Sequence, residues 1–522
     1  MGFSIWATTL SSITYLAVPG TSFQSGWMWA FAQLTIIVLA PFLIKYIIPF
    51  FRRMKATSAY HYLEQRFHYA LRAISSAFFI AFHIFRIAIV MYIPIAALSL
   101  FVDISPYLLV AIMGLVVLFS TLFGGMKGVL WSDAIQGIVL ILGIALVVIL
   151  GLAYTKWDAA ELKYQAILNA GQWKISLTMI GIPLIFISNL FNTLYQYIGS
   201  QDVVQRYKAK ENIADINRTL WINAGLGFIT ILLFYGAGSV LYTYYSSLNQ
   251  NVDDSQAIQT ITASGRNATN LLLPYFVVSV LPSGIAGLII SAVFAASQST
   301  ISSSLSSLSN SIMSDFVERW TKMSQKWSLI WSKIIVLISG LFGTALALSF
   351  VHTGIDDVIN YFLGIVGLFG SPVAAVFILG IFTKRANSIG TFIGIVCSSL
   401  IVLPLWILTQ SFIPPAARVG LNSSYLAIIN FFATSLFGYS LSLIVELFRP
   451  RSEAYNHRIT NLSWTTTTAE FREILKVEKQ LSQQQSLLRR KKAVDQTQFD
   501  ALKTRYEQLD QMLNQIAQTA HH

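Results

Sequence analysis

The chain has 522 residues, of which 55% are hydrophobic and only 11% are charged. This composition is too apolar for an ordinary soluble domain, and it predicts a polytopic membrane protein. The formal net charge of +12 comes from 35 Lys and Arg residues beside 23 acidic residues, so its meaning depends on where the basic residues lie. The single cysteine, Cys397, excludes an intrachain disulfide.

Twelve apolar segments are predicted to cross the membrane within residues 1–448, since a hydrocarbon core about 30 Å thick takes roughly 20 helical residues per crossing. The first is short, and it resembles neither a signal peptide nor a complete span. The eighth is too long for one crossing, and it is predicted to hold a short extracellular helix before Pro282 and then a full span. The segments are 3–18, 27–50, 73–101, 106–124, 129–154, 176–200, 220–245, 272–312, 328–351, 358–382, 388–408 and 425–447.

The basic residues divide unequally between the two sides of the predicted membrane. By alternation of the spans, one side carries fifteen Lys and Arg residues and the other carries five. The positive-inside rule places the side with fifteen in the cytoplasm. The tail, residues 449–522, carries twelve more and falls on the same side. The net charge therefore reflects topology beside anionic lipid, and we expect no nucleic-acid partner.

Three ionisable residues fall within predicted spans, where a charged side chain costs at least a few kcal/mol and marks a functional candidate. Arg86 lies in the middle third of its span, and substrate recognition or a buried pairing with a carbonyl or carboxylate would each explain it. Asp133 needs a cation, a proton or a basic partner. Lys333 lies near the start of the ninth span, so its ammonium group is expected to reach the aqueous surface.

Small hydroxyl residues are concentrated in residues 295–311, AASQSTISSSLSSLSNS. Ala296, Ser299, Thr300 and Ser303 share one face of a helix because they are spaced i, i+3, i+4 and i+7. Oxygen donors without a soft ligand are typical of a site for a small alkali cation. Close helix packing by small residues is the other interpretation.

A second hydroxyl-rich run lies near the start of the chain, in WATTLSSITYLAVPG. It precedes Pro19 and Gly20, and interrupted spans of this kind hold ions and substrates in many secondary transporters. The hydroxyl content alone would also suit helix packing.

The tail contains an apolar pattern with alternating spacings of three and four residues. This pattern predicts either a solvated amphipathic helix or a short coiled coil that supports self-association through residues 499–516. The apolar positions are Phe499, Leu502, Tyr506, Leu509, Leu513 and Ile516.

Seven segments occur in the order found in a known family: ATTLSSIT, TSAYHYLEQRF, FHIFRIAIV, GVLWSDAIQG, SQDVVQRY, GIAGLIISAVFAASQSTISSS and LGIFTKRANS. From about residue 4 to 445 the chain resembles the sodium/solute symporter family, and most closely its sialic acid branch. The resemblance implies an all-α, leucine-transporter-like fold of two inverted five-helix repeats, spans one to five and six to ten. It also implies alternating access around a central site.

The resemblance implies two sodium sites. The main site would use the carbonyl groups of Ala7, Leu10 and Ala296 together with the hydroxyl groups of Ser299 and Thr300. A second site, found in some members, would use Asp133 with the hydroxyl groups of Ser299, Ser302 and Ser303.

The resemblance also implies a substrate site with an arginine for a carboxylate, three hydroxyl groups beside it, an amide facing a sugar and an aromatic side chain. These residues are Arg86, Thr9, Ser11, Thr14, Gln33 and Trp29. Close relatives have a phenylalanine where this chain has Trp29, a departure that bears on the choice of substrate. The family also has roughly fifty residues before ATTLSSIT that this chain lacks, which predicts an incomplete first repeat or a start further upstream.

The sequence therefore predicts a sodium-coupled symporter that imports an organic anion, with sialic acid as the expected substrate. We predict a multi-pass plasma-membrane protein with a transporter body at 1–448 and a cytoplasmic helical tail at 449–522. The co-transported sodium ion is the only cofactor expected, and no enzymatic activity is predicted because no Gly-rich phosphate loop or kinase-like pattern follows residue 448. A symporter for a neutral sugar or a proline-like solute, and a transporter-like sensor or inactive fragment, are the alternatives.

Overall fold

The structure is a computed structural model. It describes residues 6, 10–53, 58–99, 101–155, 170–176, 181–208, 213–247, 268–321, 323–355, 358–410, 413–448, 473, 477, 480–481 and 496–519. All regular secondary structure in these residues is helical. Ten helical segments of the described chain are long and apolar enough to cross a membrane. The predicted all-α polytopic architecture is confirmed.

The first half of the described chain forms seven helices. Helices α2 and α6 each contain a π-helical turn, at Leu43–Ile47 and Tyr195–Gly199. The helices are α1 (Ser12–Ser25), α2 (Ala30–Phe42, continuing to Ile48–Arg53), α3 (His61–Arg66), α4 (Tyr69–Leu98), α5 (Pro106–Tyr154), α6 (Ile182–Leu194 and its π turn) and α7 (Gln201–Lys208).

The second half forms eight helices, three of which contain a π turn, at Ile231–Tyr235, Met313–Val317 and Val366–Gly370. They are α8 (Ile213–Thr230, continuing to Gly236–Ser246), α9 (Ala268–Val280), α10 (Ser283–Ile312, continuing to Glu318–Trp320), α11 (Gln325–Thr353), α12 (Val358–Ile365, continuing to Ser371–Phe382), α13 (Ser388–Leu408), α14 (Ser424–Phe448) and α15 (Gln496–Thr519).

Two of the twelve predicted spans coincide with interrupted helices. The predicted span 3–18 is replaced by α1, which begins only after the extended residue Ser11 (φ −117°, ψ 173°) and continues through Pro19 to Ser25. The predicted span 176–200 corresponds to α6, which ends where Ser200 is extended (φ −93°, ψ 121°). Free main-chain groups at such breaks are tolerated inside a membrane only where protein or a cavity surrounds them.

The predicted eighth span is divided in the structure, whereas the predicted fourth and fifth spans are joined. The expected short helix before Pro282 is α9, and the full span after it is α10. The spans predicted at 106–124 and 129–154 both lie in α5, whose helical backbone also covers the predicted loop between them. A loop of four residues is about one helical turn long, so it can continue the helix.

The centre of the molecule is formed by α4 and α10, which pack against each other. Helix α1 packs against α8 and α9, while α5 packs against α10. The contact face of α10 consists of small residues, including Ala292, Ala296, Ser299 and Ser303, all of which are buried. Small side chains allow membrane helices to approach closely, so α10 is held near both α4 and α5.

A buried polar cluster, which we call the Asp315 cluster, joins the start of α4 to the end of α10. The carboxylate of Asp315 is fully buried, and it accepts hydrogen bonds from Ser58 and from Arg72 Nε at 2.5 and 2.9 Å. Glu64 pairs with both Arg72 and Arg319, at 2.6 and 2.7 Å. The cluster also contains Ser76 and Ser311, which both donate to Asp315.

Candidate functional site

A cavity of about 260 Å³ lies where the two interrupted helices meet α2, α4 and α8. Five residues of the predicted substrate site line it: Ser11, Thr14, Trp29, Gln33 and Arg86. Thr9, the sixth, lies outside the described residues. The fold therefore brings together side chains from α1, α4 and the start of α2.

The breaks in the helices explain why polar groups converge here. Ser11 immediately precedes α1, and Ser200 separates α6 from α7; both serines line the cavity. Trp29 precedes α2 and packs against the buried apolar cluster of Met28, Ala32, Ile182 and Ile185, so one wall of the cavity is apolar. An apolar wall with a few convergent polar groups is typical of a small-molecule site.

Arg86 is buried on α4, with 9% of its surface exposed. Its Nη1 atom lies 3.5 Å from Oδ2 of Asp202 on α7. Oδ1 of Asp202 accepts a hydrogen bond from the Ser200 hydroxyl at 2.5 Å. Arg86 therefore pairs with a buried carboxylate, which is one of the two interpretations offered for it beside substrate recognition. The pair lies inside the cavity.

Asp202 is a functional candidate that the sequence analysis missed. The predicted sixth span ends at residue 200, so Asp202 lies outside the predicted membrane segments. The extended residue Ser200 directs α7 back against the cavity, and Asp202 is only 5% exposed. The motif SQDVVQRY, one of the segments that carry the family resemblance, was the signal that could have identified it.

Helix α6 contributes a second set of missed residues. The side-chain nitrogen and oxygen of Asn192 and the hydroxyl of Ser188 are buried in the cavity wall without a hydrogen-bond partner among the described residues. Ser188 and Asn192 are one helical turn apart, so both lie on the same face of α6. Since buried polar groups are normally hydrogen bonded, these atoms are candidates to bind a polar solute.

The predicted main sodium site lies at the edge of the same cavity. The Thr300 hydroxyl donates to the carbonyl oxygen of Leu10 across 3.4 Å. Ala296 and Ser299 lie on the same face of α10 as Thr300, and all three are buried. Ala7 lies outside the described residues. The structure thus brings Leu10 and Thr300 together at the break that precedes α1, with Ala296 and Ser299 on the same face of α10 as Thr300.

The predicted second sodium site is one turn further along α10. The hydroxyl of Ser302 donates to the carbonyl oxygen of Ser299 at 3.1 Å. The hydroxyl of Ser303 is buried and has no hydrogen-bond partner in the described part of the chain. Asp133 lies in α5, which packs against α10, but its side chain is outside the described part of the structure.

Comparison with known proteins identifies the family to which this chain belongs. The family model of the sodium:solute symporter family matches residues 1–397. The chain belongs to the sodium:solute symporter family. This symporter is similar to the sodium/sialic acid symporter SiaT of Proteus mirabilis, with 36% identity over 453 residues and 85% of each chain covered. It is 34% identical to the sodium/sialic acid symporter NanT of Aliivibrio fischeri over 481 residues, covering 90% of each chain.

More distant relatives and solved structures agree with this assignment. The human sodium-coupled monocarboxylate transporter 1 is 26% identical to the symporter, covering 81% of this chain and 70% of the relative. One solved structure is that of a Na⁺-coupled sialic acid symporter in a substrate-bound, outward-open state with a novel Na⁺ site. It superposes on this chain with a TM-score of 0.73 and 34% identity, covering 85% of this chain and 89% of that chain. A nucleobase-cation-symport-1 family transporter shares the fold, with a TM-score of 0.53 at 14% identity, covering 88% and 95%.

The symporter is therefore a multi-pass membrane protein that couples the movement of a solute to sodium. Sodium is the co-transported ion, as the sequence analysis predicted, and the family consists of transporters and not of enzymes.

Proposed function

We propose that this symporter imports an organic anion, namely the sialic acid N-acetylneuraminate, by alternating access in the plasma membrane. The observation that carries the proposal is a buried arginine, Arg86, in a cavity that also exposes Ser11, Thr14 and Gln33. Two relatives that are more than 30% identical to this chain over most of its length are named sodium/sialic acid symporters.

The cavity chemistry fits a sugar acid. A guanidinium group can bind a carboxylate through two parallel hydrogen bonds, which fixes the orientation of the acid. The hydroxyl groups of Ser11 and Thr14, with Thr9, would complete the carboxylate site. Gln33, together with Asn192, offers donors and acceptors for the hydroxyl groups of the sugar.

Two sodium ions would bind beside the substrate. The main site would consist of the carbonyl groups of Ala7, Leu10 and Ala296 and the hydroxyl groups of Ser299 and Thr300. The second would consist of Asp133 with Ser299, Ser302 and Ser303, where the buried hydroxyl of Ser303 lacks another partner among the described residues.

The chain would divide into a transporter body at 1–448 and a cytoplasmic tail at 449–522. Within the tail, Leu502, Tyr506 and Leu509 pack against Val477 and Leu481, and Arg505 pairs with Glu473 at 2.8 Å. The described part of the apolar seam therefore contacts the same chain, which favours packing within one tail over self-association through residues 499–516.

A neutral solute is the second candidate cargo, because Asp202 already supplies a negative charge to Arg86. A panel of competitors distinguishes the two. Purified protein in liposomes with an inward sodium gradient should take up labelled N-acetylneuraminate, and the unlabelled acid should compete much better than its methyl ester. Equal competition by the ester, or stronger competition by proline or N-acetylmannosamine, would contradict the anionic assignment.

A further inference from the structure

The pair formed by Arg86 and Asp202 differs in geometry from a second buried ion pair in the described part of the body. In the Asp315 cluster, Arg72 Nη2 lies 2.8 Å from the Asp315 carboxylate. The same nitrogen donates a hydrogen bond to the carbonyl oxygen of Ser314 at 2.6 Å. Arg86 Nη1 and Asp202 Oδ2 are 3.5 Å apart. Strong charge-assisted hydrogen bonds are about 2.7 to 2.9 Å long, so the contact between Nη1 and Oδ2 in the cavity is longer than a strong one.

A buried guanidinium group without a counterion is costly, and removing one partner of a buried pair is strongly destabilising. When the cavity contains no anionic solute, Asp202 supplies the compensating charge from within the protein. The geometry of Asp202 also suits release. Ser200 holds the other carboxylate oxygen, Oδ1, and the first turn of α7 is an electrostatically favourable place for an acidic residue.

We propose that Asp202 is a specificity-determining residue: it is the resident counterion of Arg86, and a substrate carboxylate must displace it. The ligand class is a monocarboxylate, which offers Arg86 a charge and two parallel hydrogen bonds in place of the 3.5 Å contact with Asp202. A neutral analogue offers no charge in this exchange, so it does not displace Asp202 from Arg86 and binds poorly. The substrate part of this inference rests on the function proposed above.

The decisive variant is Asp202→Asn, which keeps the size of the side chain and removes the competing charge. Isothermal titration of the purified full chain with N-acetylneuraminate in sodium buffer should show a dissociation constant about ten-fold lower than in the parent, because close charge pairs commonly contribute at least this much. Asp202→Glu, which keeps the charge, should bind like the parent. Asp315→Asn is the matched control, since it removes a buried acid paired with arginine outside the cavity, and it should not tighten binding.

A double-mutant cycle on thermal unfolding tests the pair without any substrate. It compares the parent, Asp202→Asn, Arg86→Gln and the double variant. Asp202→Asn should be clearly less destabilising when Arg86 is already absent, because the unpaired charge has gone. Additive effects would overturn the counterion role.

The two measurements separate this inference from the proposed function. Weaker or unchanged binding in folded Asp202→Asn would overturn displacement while leaving N-acetylneuraminate as the substrate. If the parent does not bind N-acetylneuraminate, the proposed function and the substrate part of the inference both fail. The unfolding cycle then still decides whether Asp202 neutralises Arg86.

Discussion

The Thr300 hydroxyl meets the carbonyl oxygen of Leu10 across 3.4 Å, although the two residues are 290 positions apart in the chain. This separation is long for an O–H···O hydrogen bond, which is usually about 2.7 to 2.8 Å. Two oxygens that bind one hard cation at about 2.4 Å, at a right angle, lie about 3.4 Å apart. The contact therefore fits two ligands of one sodium ion, held by α10 on one side and the break before α1 on the other.

The first prediction concerns Thr300→Ala, which removes one of these oxygens. The sodium concentration for half-maximal uptake should rise about ten-fold or more, since even outer-shell partners of bound metals contribute this much to metal affinity. Sodium titration of uptake measures the effect. Ser309→Ala is the matched control, because Ser309 lies on the same helix and donates to the Ser332 carbonyl at 2.9 Å. An unchanged sodium requirement in Thr300→Ala would show that the hydroxyl cluster serves packing alone.

The second prediction concerns Arg86→Lys. Lysine keeps the charge but cannot form two parallel hydrogen bonds to a carboxylate, so affinity for N-acetylneuraminate should fall about ten- to hundred-fold. Arg418→Lys is the control, since Arg418 is exposed and donates to the Ile413 carbonyl outside the cavity. Competition binding measures both variants. Parent-like affinity in Arg86→Lys would remove the basis for a carboxylate site at Arg86.

The third prediction concerns coupling and Asp133. Two sodium ions with one monoanion carry one net positive charge inward, worth about 2.3 kcal/mol per 100 mV of membrane potential. Transport should therefore be electrogenic, and Asp133→Asn should lower the Hill coefficient for sodium toward one. Current and sodium dependence at fixed pH measure this. Electroneutral uptake by the parent, or unchanged cooperativity in the variant, would contradict a second sodium ion, and a dependence on pH would instead indicate proton coupling.

The fourth prediction concerns stability. Asp315→Asn removes the more buried of the two carboxylates that pair with Arg72 and leaves Glu64 in place, so we expect a cost of about 1 to 3 kcal/mol. The unfolding midpoint in detergent should therefore drop clearly. Glu318→Gln is the control, because Glu318 is exposed and accepts a surface hydrogen bond from Ser328. A variant as stable as the parent would mean that the Asp315 cluster does not hold α4 to α10.

The continuous spans could be predicted because the length of an apolar stretch in the sequence gives the length of the helix that crosses the membrane. The interrupted helices could not be delimited in this way. Pro19 suggested an end for the first span, yet α1 continues through it, since neighbouring helices can satisfy the freed backbone groups. Conversely, nothing in the apolar pattern marked Ser200 as the end of α6.

The same dependence on helix breaks explains which residues of the candidate site could be predicted from the sequence. Arg86 was identified because a charge in mid-span is costly and therefore conspicuous. Asp202 was missed because its burial depends on the break at Ser200, a tertiary feature. Asn192 lacks a charge, so only the structure shows that its amide is buried in the cavity wall without a partner among the described residues.

Concentrative uptake tests the central claim most directly. Liposomes containing the purified protein, loaded without sodium and diluted into sodium with labelled N-acetylneuraminate, should accumulate the acid above its external concentration. The gradient of acid should collapse when an ionophore dissipates the sodium gradient, and it should not form when potassium replaces sodium. Accumulation that persists without a sodium gradient, or uptake that never exceeds the external concentration, would contradict sodium-coupled import of sialic acid.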